Sequence, residues 1–290
     1  MNKNMFLPTA KYIVNKYNIP FVRKTYCLAQ NTYSQIVNKL NCSNERRRIR
    51  KFENIHANKD RCFIIGNGPS ILKQDLTKLK DEIVFVANAF ILHNDYNEIA
   101  PNYYCVSDPR FFKEGVVNQD YANEMKQKAD SVIKFFPESA KRVVKKSKSF
   151  DQSSVYYLNY ITCNKIWELD KLSLDPSKIV YRGDTVVIEF CLILAHYMGF
   201  KKIYLLGCEC DFYLDKAKDY SAGYFYDVKK QTTGRQTSDY HLKYWYENLV
   251  KSYTVIKRYF EKDGCTVFNA TAGGKLEVFE RVIFEELFNN

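Results

Sequence analysis

The chain has 290 residues, which is enough for one substantial α/β domain with an appendage or for two small domains. A hydrophobic fraction of 46% supports a packed core and excludes a wholly disordered chain. The formal net charge of +11 favours anionic partners such as nucleotides, acidic glycans, nucleic acid or an anionic membrane, without choosing among them.

Cysteine usage and hydropathy bear on the cell compartment. The nine cysteines include no CxxC pair, which is typical of small reduced core residues, and with only four histidines a zinc site is disfavoured. No apolar run approaches the roughly 18 residues that a membrane span requires, and no segment resembles a signal peptide. We therefore expect a cytoplasmic protein, with a peripheral position on the inner face of the membrane as an option.

The first predicted element is a basic helical N-terminal extension over residues 1–57. It contains a helical piece at 33–40 and an arginine-rich run at 46–51, and a second basic cluster follows at 141–148. Either cluster is compatible with a solvated surface. For the extension, packing on the main domain is the simpler role, and contact with anionic lipid is the alternative.

From residue 61 onward, short apolar runs alternate with helical stretches. The runs lie at 62–65, 83–87, 103–106, 131–136, 154–158, 202–206 and 266–268, and the helical stretches lie at 185–198, 240–262 and 276–288. This alternation predicts a Rossmann-like, doubly wound, mostly parallel α/β sheet in one domain over residues 58–290. The least regular stretch, at about 211–241, is predicted to be a lid-like insertion.

A glycine-rich turn follows the first apolar run. Gly66 and Gly68 let the backbone turn tightly and approach a ligand, and Pro69 and Ser70 suit the first turn of a helix, whose free N–H groups attract phosphate or carboxylate. The turn is neither GxGxxG nor a P-loop, which disfavours ordinary NAD binding and P-loop ATP binding.

Polar residues also follow other predicted strands. Asn88 comes after the second, Asp108 after the third, and Gly207 and Asp211 after the sixth. One such residue would merely end a strand, but several at the carboxyl edge of a parallel sheet favour a shared ligand.

A further polar turn precedes the helix predicted at 185–198. Asp184 or Thr185 is expected to cap that helix, and Arg182 beside its N-terminus is a candidate anion site.

These residues resemble the bacterial CMP-sialic-acid-dependent sialyltransferases that build surface oligosaccharides of lipopolysaccharide or capsule. The resemblance is carried by Gly66-Asn67-Gly68-Pro69-Ser70, Asn88, the strand end before Pro109, and Gly207 with Asp211-Phe212-Tyr213. Asn269-Ala270-Thr271 with Gly273-Gly274-Lys275 is similar to a broader domain. That domain is shared by motility-associated flagellin glycosyltransferases and archaeal 6-hydroxymethylpterin diphosphokinase-like proteins. Together the similarity covers about residues 61–275.

The resemblance implies a role for each matching residue. The implied nucleotide-binding residues are Gly66, Asn67, Gly68, Ser70, Asn88, Gly207 and Asp211. The implied donor-sugar residues are Asp108, which replaces the family's asparagine, with Arg182, Gly183 and Thr185. Tyr213 and Tyr224 would hydrogen-bond the leaving phosphate, and His241 would be the general base.

The implied activity is transfer of a sialic acid-like sugar, another nonulosonic acid or Kdo from a CMP-activated donor to a surface-glycan acceptor. An acceptor hydroxyl would displace CMP directly, helped by the histidine base and the tyrosine O–H groups. No DxD triplet occurs, so neither a metal nor another cofactor is expected. Expected partners are the donor, an oligosaccharide or glycolipid acceptor, an anionic membrane surface and further copies of the chain, but no nucleic acid.

Two alternatives stay open. One is a Mg²⁺-dependent diphosphokinase of the 6-hydroxymethylpterin type, for which Asp108, Asp184 and Asp211 would supply carboxylates. The other is a non-catalytic nucleotide-binding module.

Overall fold

The structure is a computed structural model that describes most of the chain. The described residues are 43–112, 124–125, 127–129, 132–147, 150–211, 224–226 and 239–289, with Thr25, Ala29 and Thr32. The predicted helical piece at 33–40, most of the predicted lid and Tyr213 lie outside them.

A parallel sheet of eight strands forms the centre of the protein. In chain order the strands of the protein are β1 (Arg61–Ile65), β2 (Val84–Ala87), β3 (Tyr103–Cys105), β4 (Ile133–Pro137), β5 (Val155–Leu158), β6 (Tyr160–Lys165), β7 (Val180–Arg182), β8 (Lys202–Leu206), β9 (Thr266–Asn269) and β10 (Glu280–Arg281). The sheet has the order β10-β9-β8-β1-β2-β3-β4-β5, and its neighbours are parallel. All seven predicted strands are present, which confirms the doubly wound α/β class.

The order of the strands places the topological switch point of the sheet between β1 and β8. The chain builds outward from β1 to β5 and then returns to β8 on the other side of β1. Because Ile65 pairs with Leu206, the carboxyl ends of the two central strands are level. Such a reversal opens the crevice in which doubly wound sheets bind ligands.

Helices cover both faces of the sheet. They are α1 (Ser43–Arg50), α2 (Tyr96–Ile99), α3 (Lys141–Ser147), a π-helix (Val187–Leu192) that continues as α4 (Ile193–Tyr197), and α5 (Asp239–Lys262). Successive side chains of a strand point to opposite faces, so Ile64 enters one apolar core and Phe63 the other. The predicted helices at 185–198 and 240–262 are therefore confirmed, with a π-helical start in the first.

The helix predicted over residues 276–288 is wrong. β10 pairs there with β9, and a 3-10 turn follows at Glu285–Phe288. The Arg281 guanidinium donates to the Gly273 carbonyl at 2.7 Å, and the buried Phe284 ring packs against the ring of Phe63 in β1. These tertiary contacts override the local preference for helix.

A small second sheet, not evident in the sequence pattern, joins β6 to β7. Its two parallel strands run side by side, and Lys165 pairs with Arg182 beyond an irregularity in the register. This sheet therefore places two cationic side chains next to each other ahead of the π-helix.

Residues 43–57 pack on the domain. Ile49 and Phe52 are buried in the core that contains Ile64. The backbone N–H of Asn54 donates to the Tyr197 carbonyl at 3.0 Å, which ties this segment to the end of α4.

The structure also bears on the cysteines and on the search for a membrane-spanning helix. The described cysteines Cys62, Cys105, Cys191, Cys208, Cys210 and Cys265 are buried free thiols. Within the described ranges, no helix combines the length and apolar character needed to cross a bilayer.

Candidate functional site

The glycine-rich turn after β1 lies directly against the loop after β8. The N–H of Gly66 donates to the Leu206 carbonyl at 2.8 Å, and that of Gly68 donates to the Gly207 carbonyl at 2.9 Å. A Cβ at Gly66 would lie 2.4 Å from the Gly207 carbonyl oxygen, so only glycine permits this approach. The fold thus brings together three residues that the resemblance assigns to the nucleotide.

Two asparagines extend this edge to the neighbouring strand. The Asn67 amide donates through Nδ2 to the Ala87 carbonyl at 2.8 Å, and the Tyr104 hydroxyl donates to the Asn88 carbonyl at 2.8 Å. Asn88 has a left-handed backbone with φ of 45°, a conformation that asparagine tolerates better than most residues. The Asn67 Oδ1 atom is buried and accepts no hydrogen bond from the described residues, which suits it to a ligand donor.

Glu209 is a site residue that the sequence pattern does not reveal. The Ser70 amide, one of the N–H groups expected to attract an anion, donates to Glu209 Oε1 at 2.6 Å. A Cβ at Gly68 would overlap Glu209 Oε2 at 1.5 Å, so the glycine makes room for the carboxyl group. Among the described residues Oε2 finds no hydrogen-bond partner, although the side chain is buried.

Burial raises the pKa of the Glu209 carboxyl, and hydrogen bonds from Ser70 oppose that rise. A carboxyl group with a raised pKa in the folded state favours folding while protonated, and this contribution is lost as pH rises through that pKa. Ionised Glu209 therefore costs stability at neutral pH.

Glu209→Gln is expected to raise the Tm at neutral pH, because glutamine keeps an acceptor for the Ser70 amide and removes the buried charge. The difference from the wild type should shrink as pH falls toward the ordinary carboxyl range, with thermal unfolding followed from about pH 4 to about pH 8. The matched control is Glu98→Gln, an exposed position that should leave the Tm unchanged. A Glu209→Gln protein that gains nothing at neutral pH would contradict the expectation.

Glu189, in the π-helix, holds a second polar cluster beside the end of β3. Its Oε1 atom accepts hydrogen bonds from the Tyr160 hydroxyl at 2.7 Å and from the N–H groups of Gly183 and Asp184 at 3.1 Å each. The carboxyl group also accepts a hydrogen bond from the side chain of Ser107, which precedes Asp108. Burial raises the pKa of Glu189, and these hydrogen bonds oppose the rise. The turn at Gly183 and the end of β3 are thereby fixed to one another.

Two cations share one buried carboxylate in that turn. Lys165 Nζ lies 2.9 Å from Asp184 Oδ2, and Arg182 Nε lies 2.7 Å from Asp184 Oδ1. Asp184 is held with φ of 71°, a conformation that ordinary residues adopt only under constraint. Lys165 is nearly buried, whereas the Arg182 side chain is 37% exposed and accessible to an anionic ligand.

The same cluster reaches helix α5. The Lys165 ammonium lies 5.1 Å from the centre of the Tyr244 ring. His241 occupies the helical turn of α5 before Tyr244. The fold therefore places the start of α5 near residues 182–185 (the Arg182 turn). The role of His241 as a base stays a prediction.

Thr185 begins the helix after this turn. Its hydroxyl oxygen accepts a hydrogen bond from the Ile188 N–H at 3.3 Å, which confirms the predicted capping role. Of the two capping candidates, Asp184 instead pairs with Lys165 and Arg182.

A described fragment of the predicted lid, residues 224–226, lies on the glycine-rich turn at residues 66–70, the turn to which the resemblance assigns the nucleotide (the nucleotide turn). The Phe225 N–H donates to the Asn67 carbonyl at 3.0 Å, and its ring packs 5.4 Å from His93. Tyr224, one of the predicted catalytic residues, packs against Tyr226 at 5.3 Å. Tyr224 is thus the sequence neighbour of Phe225, the residue whose backbone contacts this turn.

Two histidines are structural. His93 is buried, stacks on Phe90 at 5.1 Å, and has a pKa lowered by burial. His196 stacks on Phe260 at 4.4 Å and lies 3.1 Å from Asp263, consistent with packing.

One of the three carboxylates proposed for Mg²⁺ in the kinase alternative, that of Asp184, does not fit that ion well. Asp184 is engaged by two cations, and a carboxylate neutralised in this way is a poor ligand for a hard divalent cation. Over the described parts of the chain, no group of three His, Cys, Asp or Glu side chains is arranged to hold a metal ion.

The fold and these strand ends define a class: a Rossmann-like α/β protein with its polar residues gathered at the switch point between β1 and β8. Within that class, the chain belongs to the MptE-like family. The family model, described as 6-hydroxymethylpterin diphosphokinase MptE-like, matches residues 34–215, more than half of the chain. The match includes the Gly66 turn, the Arg182 turn and the Gly207 loop. A comparison with curated proteins finds no match.

Proposed function

We propose that this protein is a glycosyltransferase that transfers an acidic sugar from a CMP-activated donor to a surface-glycan acceptor. The sugar would be a sialic acid-like residue, another nonulosonic acid or Kdo. The observation that carries the proposal is the distribution of charge along the carboxyl edge, with a carboxylate, Glu209, at the nucleotide turn and cations at the Arg182 turn.

The spacing of the strands is compatible with a donor that reaches from the Gly66 turn to the cations at the Arg182 turn. β1 and β3 are separated by one strand, so their ends lie about 10 Å apart. A nucleoside at the Gly66 turn would therefore extend its phosphate and sugar toward Ser107 and Arg182. An acidic sugar there would meet the exposed part of Arg182, with Lys165 behind it.

The chain's own residues would supply the chemistry. His241 would accept the proton of the attacking acceptor hydroxyl, because an imidazole has an ordinary pKa near neutral pH and can act as a base. Tyr213 and Tyr224 would donate hydrogen bonds to the phosphate oxygen on which charge grows as CMP leaves. Neither step needs a metal ion.

The second candidate is the diphosphokinase activity named in the family description. It would place the triphosphate of ATP, with several negative charges, at the carboxyl edge of the sheet. Glu209 at the Ser70 amide would repel those charges, and Asp184 is already paired with cations. A single-phosphate donor is the better match to this site.

The nucleotide preference tests the proposal. A bound ligand raises the Tm by mass action, so CMP is expected to stabilise the protein more than UDP, GDP or ATP with Mg²⁺. Asn67→Ala should lose most of the CMP shift, because the Asn67 amide lies in the nucleotide turn. Asn94→Ala, an exposed position in the connection between β2 and β3, is the control and should keep the CMP shift. A larger shift with ATP and Mg²⁺ than with CMP would favour the diphosphokinase.

A further inference from the structure

We infer that α1 and α3 form one cationic surface that binds an anionic lipid bilayer. This cationic surface consists of Arg47, Arg50 and Lys51 at α1 with Arg142, Lys145 and Lys146 on α3. The inference is independent of the nucleotide and of the sugar-transfer reaction.

The two helices come from distant parts of the chain and meet around the edge of the sheet at β5. α1 lies on one face, where Ile49 enters the core that contains Ile64. α3 lies on the other face, where Val144 enters the second core. The Glu45 carboxylate joins them across the edge strand, at 3.2 Å from Lys141.

Contacts to the edge strand hold α1 in this position. The Arg48 guanidinium lies 4.4 Å from the centre of the Tyr156 ring in β5. It also donates to the carbonyls of Gln152 at 3.1 Å and Ser153 at 3.0 Å, and it pairs with Glu45. Arg48 is therefore a structural residue, and its neighbours remain available for a partner.

The remaining cations project outward with the same spacing on each helix. Arg47 is followed at i+3 and i+4 by Arg50 and Lys51, and Arg142 by Lys145 and Lys146, and all six side chains are exposed. Glu45 is the one acidic residue of α1, α3 contains none, and Glu45 is neutralised by Arg48 and Lys141. The one carboxylate within the two helices is therefore already paired with cations.

An exposed apolar side chain favours lipid over nucleic acid as the partner. Val143 is 42% exposed beside Arg142 and one turn before Lys146. A basic helix face with an exposed apolar residue gains both from anionic head groups and from the interface beneath them. Cations that flank an edge strand can also merely prevent sheet-to-sheet association, and the test separates these roles.

The test is co-sedimentation of the full-length protein with vesicles. Wild-type protein is expected to bind vesicles of equimolar phosphatidylcholine and phosphatidylglycerol, not phosphatidylcholine alone, and to dissociate as salt shortens the Debye length to about 3 Å at 1 M. Each double variant, Arg47→Glu with Arg50→Glu or Arg142→Glu with Lys145→Glu, should weaken binding by about tenfold or more. Lys80→Glu with Lys202→Glu, exposed cations outside the surface with the same change in net charge, is the matched control and should bind as the wild type does.

The outcomes are distinct. Loss of binding in both α1 and α3 variants, with an unchanged Tm and an intact control, supports the inference. Unchanged binding in either variant, or an equal loss in the control, overturns it. The inference also fails if wild-type protein ignores the vesicles and instead binds single-stranded RNA through these residues. Neither result depends on the nucleotide preference, so the proposed glycosyltransferase activity is judged separately.

Discussion

His241→Ala is expected to reduce the rate of sugar transfer by about a hundredfold or more, because a general base accounts for acceleration of that order. Binding of CMP should be nearly unchanged, since the base acts on the acceptor hydroxyl. The position of the residue favours this result: His241 is one helical turn before Tyr244, whose ring lies 5.1 Å from Lys165 in the Arg182 cluster. Initial rates with a CMP-sugar donor and a titration of CMP measure the two quantities.

The pH dependence separates the base from the tyrosines. Wild-type transfer should depend on a group that titrates near neutrality, and the alanine variant should lose that dependence. Tyr224→Phe and Tyr213→Phe should slow transfer by removing one donor to the leaving phosphate, and should retain the wild-type pH profile. Full activity in His241→Ala, with a donor that wild-type protein uses, would be fatal to the assignment.

Gly66→Ala is expected to abolish measurable CMP binding and to lower the free energy of unfolding by about 1–3 kcal/mol. The added Cβ would lie 2.4 Å from the Gly207 carbonyl oxygen, which is backbone and cannot rotate away. The loops after β1 and β8 must separate, and the Asn67 amide and Ser70 move with them. Chemical unfolding and a CMP titration measure the two effects.

Gly264→Ala is the control for that variant. A Cβ at Gly264 meets nothing within 4 Å, but the backbone φ of 69° strains any L-residue. It should therefore cost about 1 kcal/mol of stability and leave CMP binding intact. If Gly66→Ala bound CMP normally, the close contact of the two loops would not be essential to the nucleotide site.

Several elements could be predicted because their signal is local. Each predicted strand is an apolar run of about the right length, and the turn at 66–70 has the glycines that its backbone requires. The helix predicted at 276–288 failed for the opposite reason. Arg281 is fixed by the Gly273 carbonyl and β10 by β9, and local preference contains neither contact.

The candidate site was only partly predictable. Asn67 and Arg182 stand out as polar residues next to an apolar run or a helix start. Glu209 lies between two cysteines, and Lys165 ends β6, a strand that the sequence pattern does not reveal. Neither residue therefore has a local signal that distinguishes it from a surface charge. Their importance comes from partners far away in the chain: Ser70 for Glu209 and Asp184 for Lys165.

The sequence by itself determined the class of fold and the carboxyl edge at which to look, because strand length, glycine turns and helix caps depend on neighbouring residues. Only the tertiary structure decided which strand ends meet. The return of the chain to β8 brings Gly207 and Glu209 to the Gly66 turn, and Glu189 fixes the Arg182 turn to the end of β3. Those juxtapositions, and the raised pKa values that burial gives Glu189 and Glu209, depend on residues that are remote in sequence.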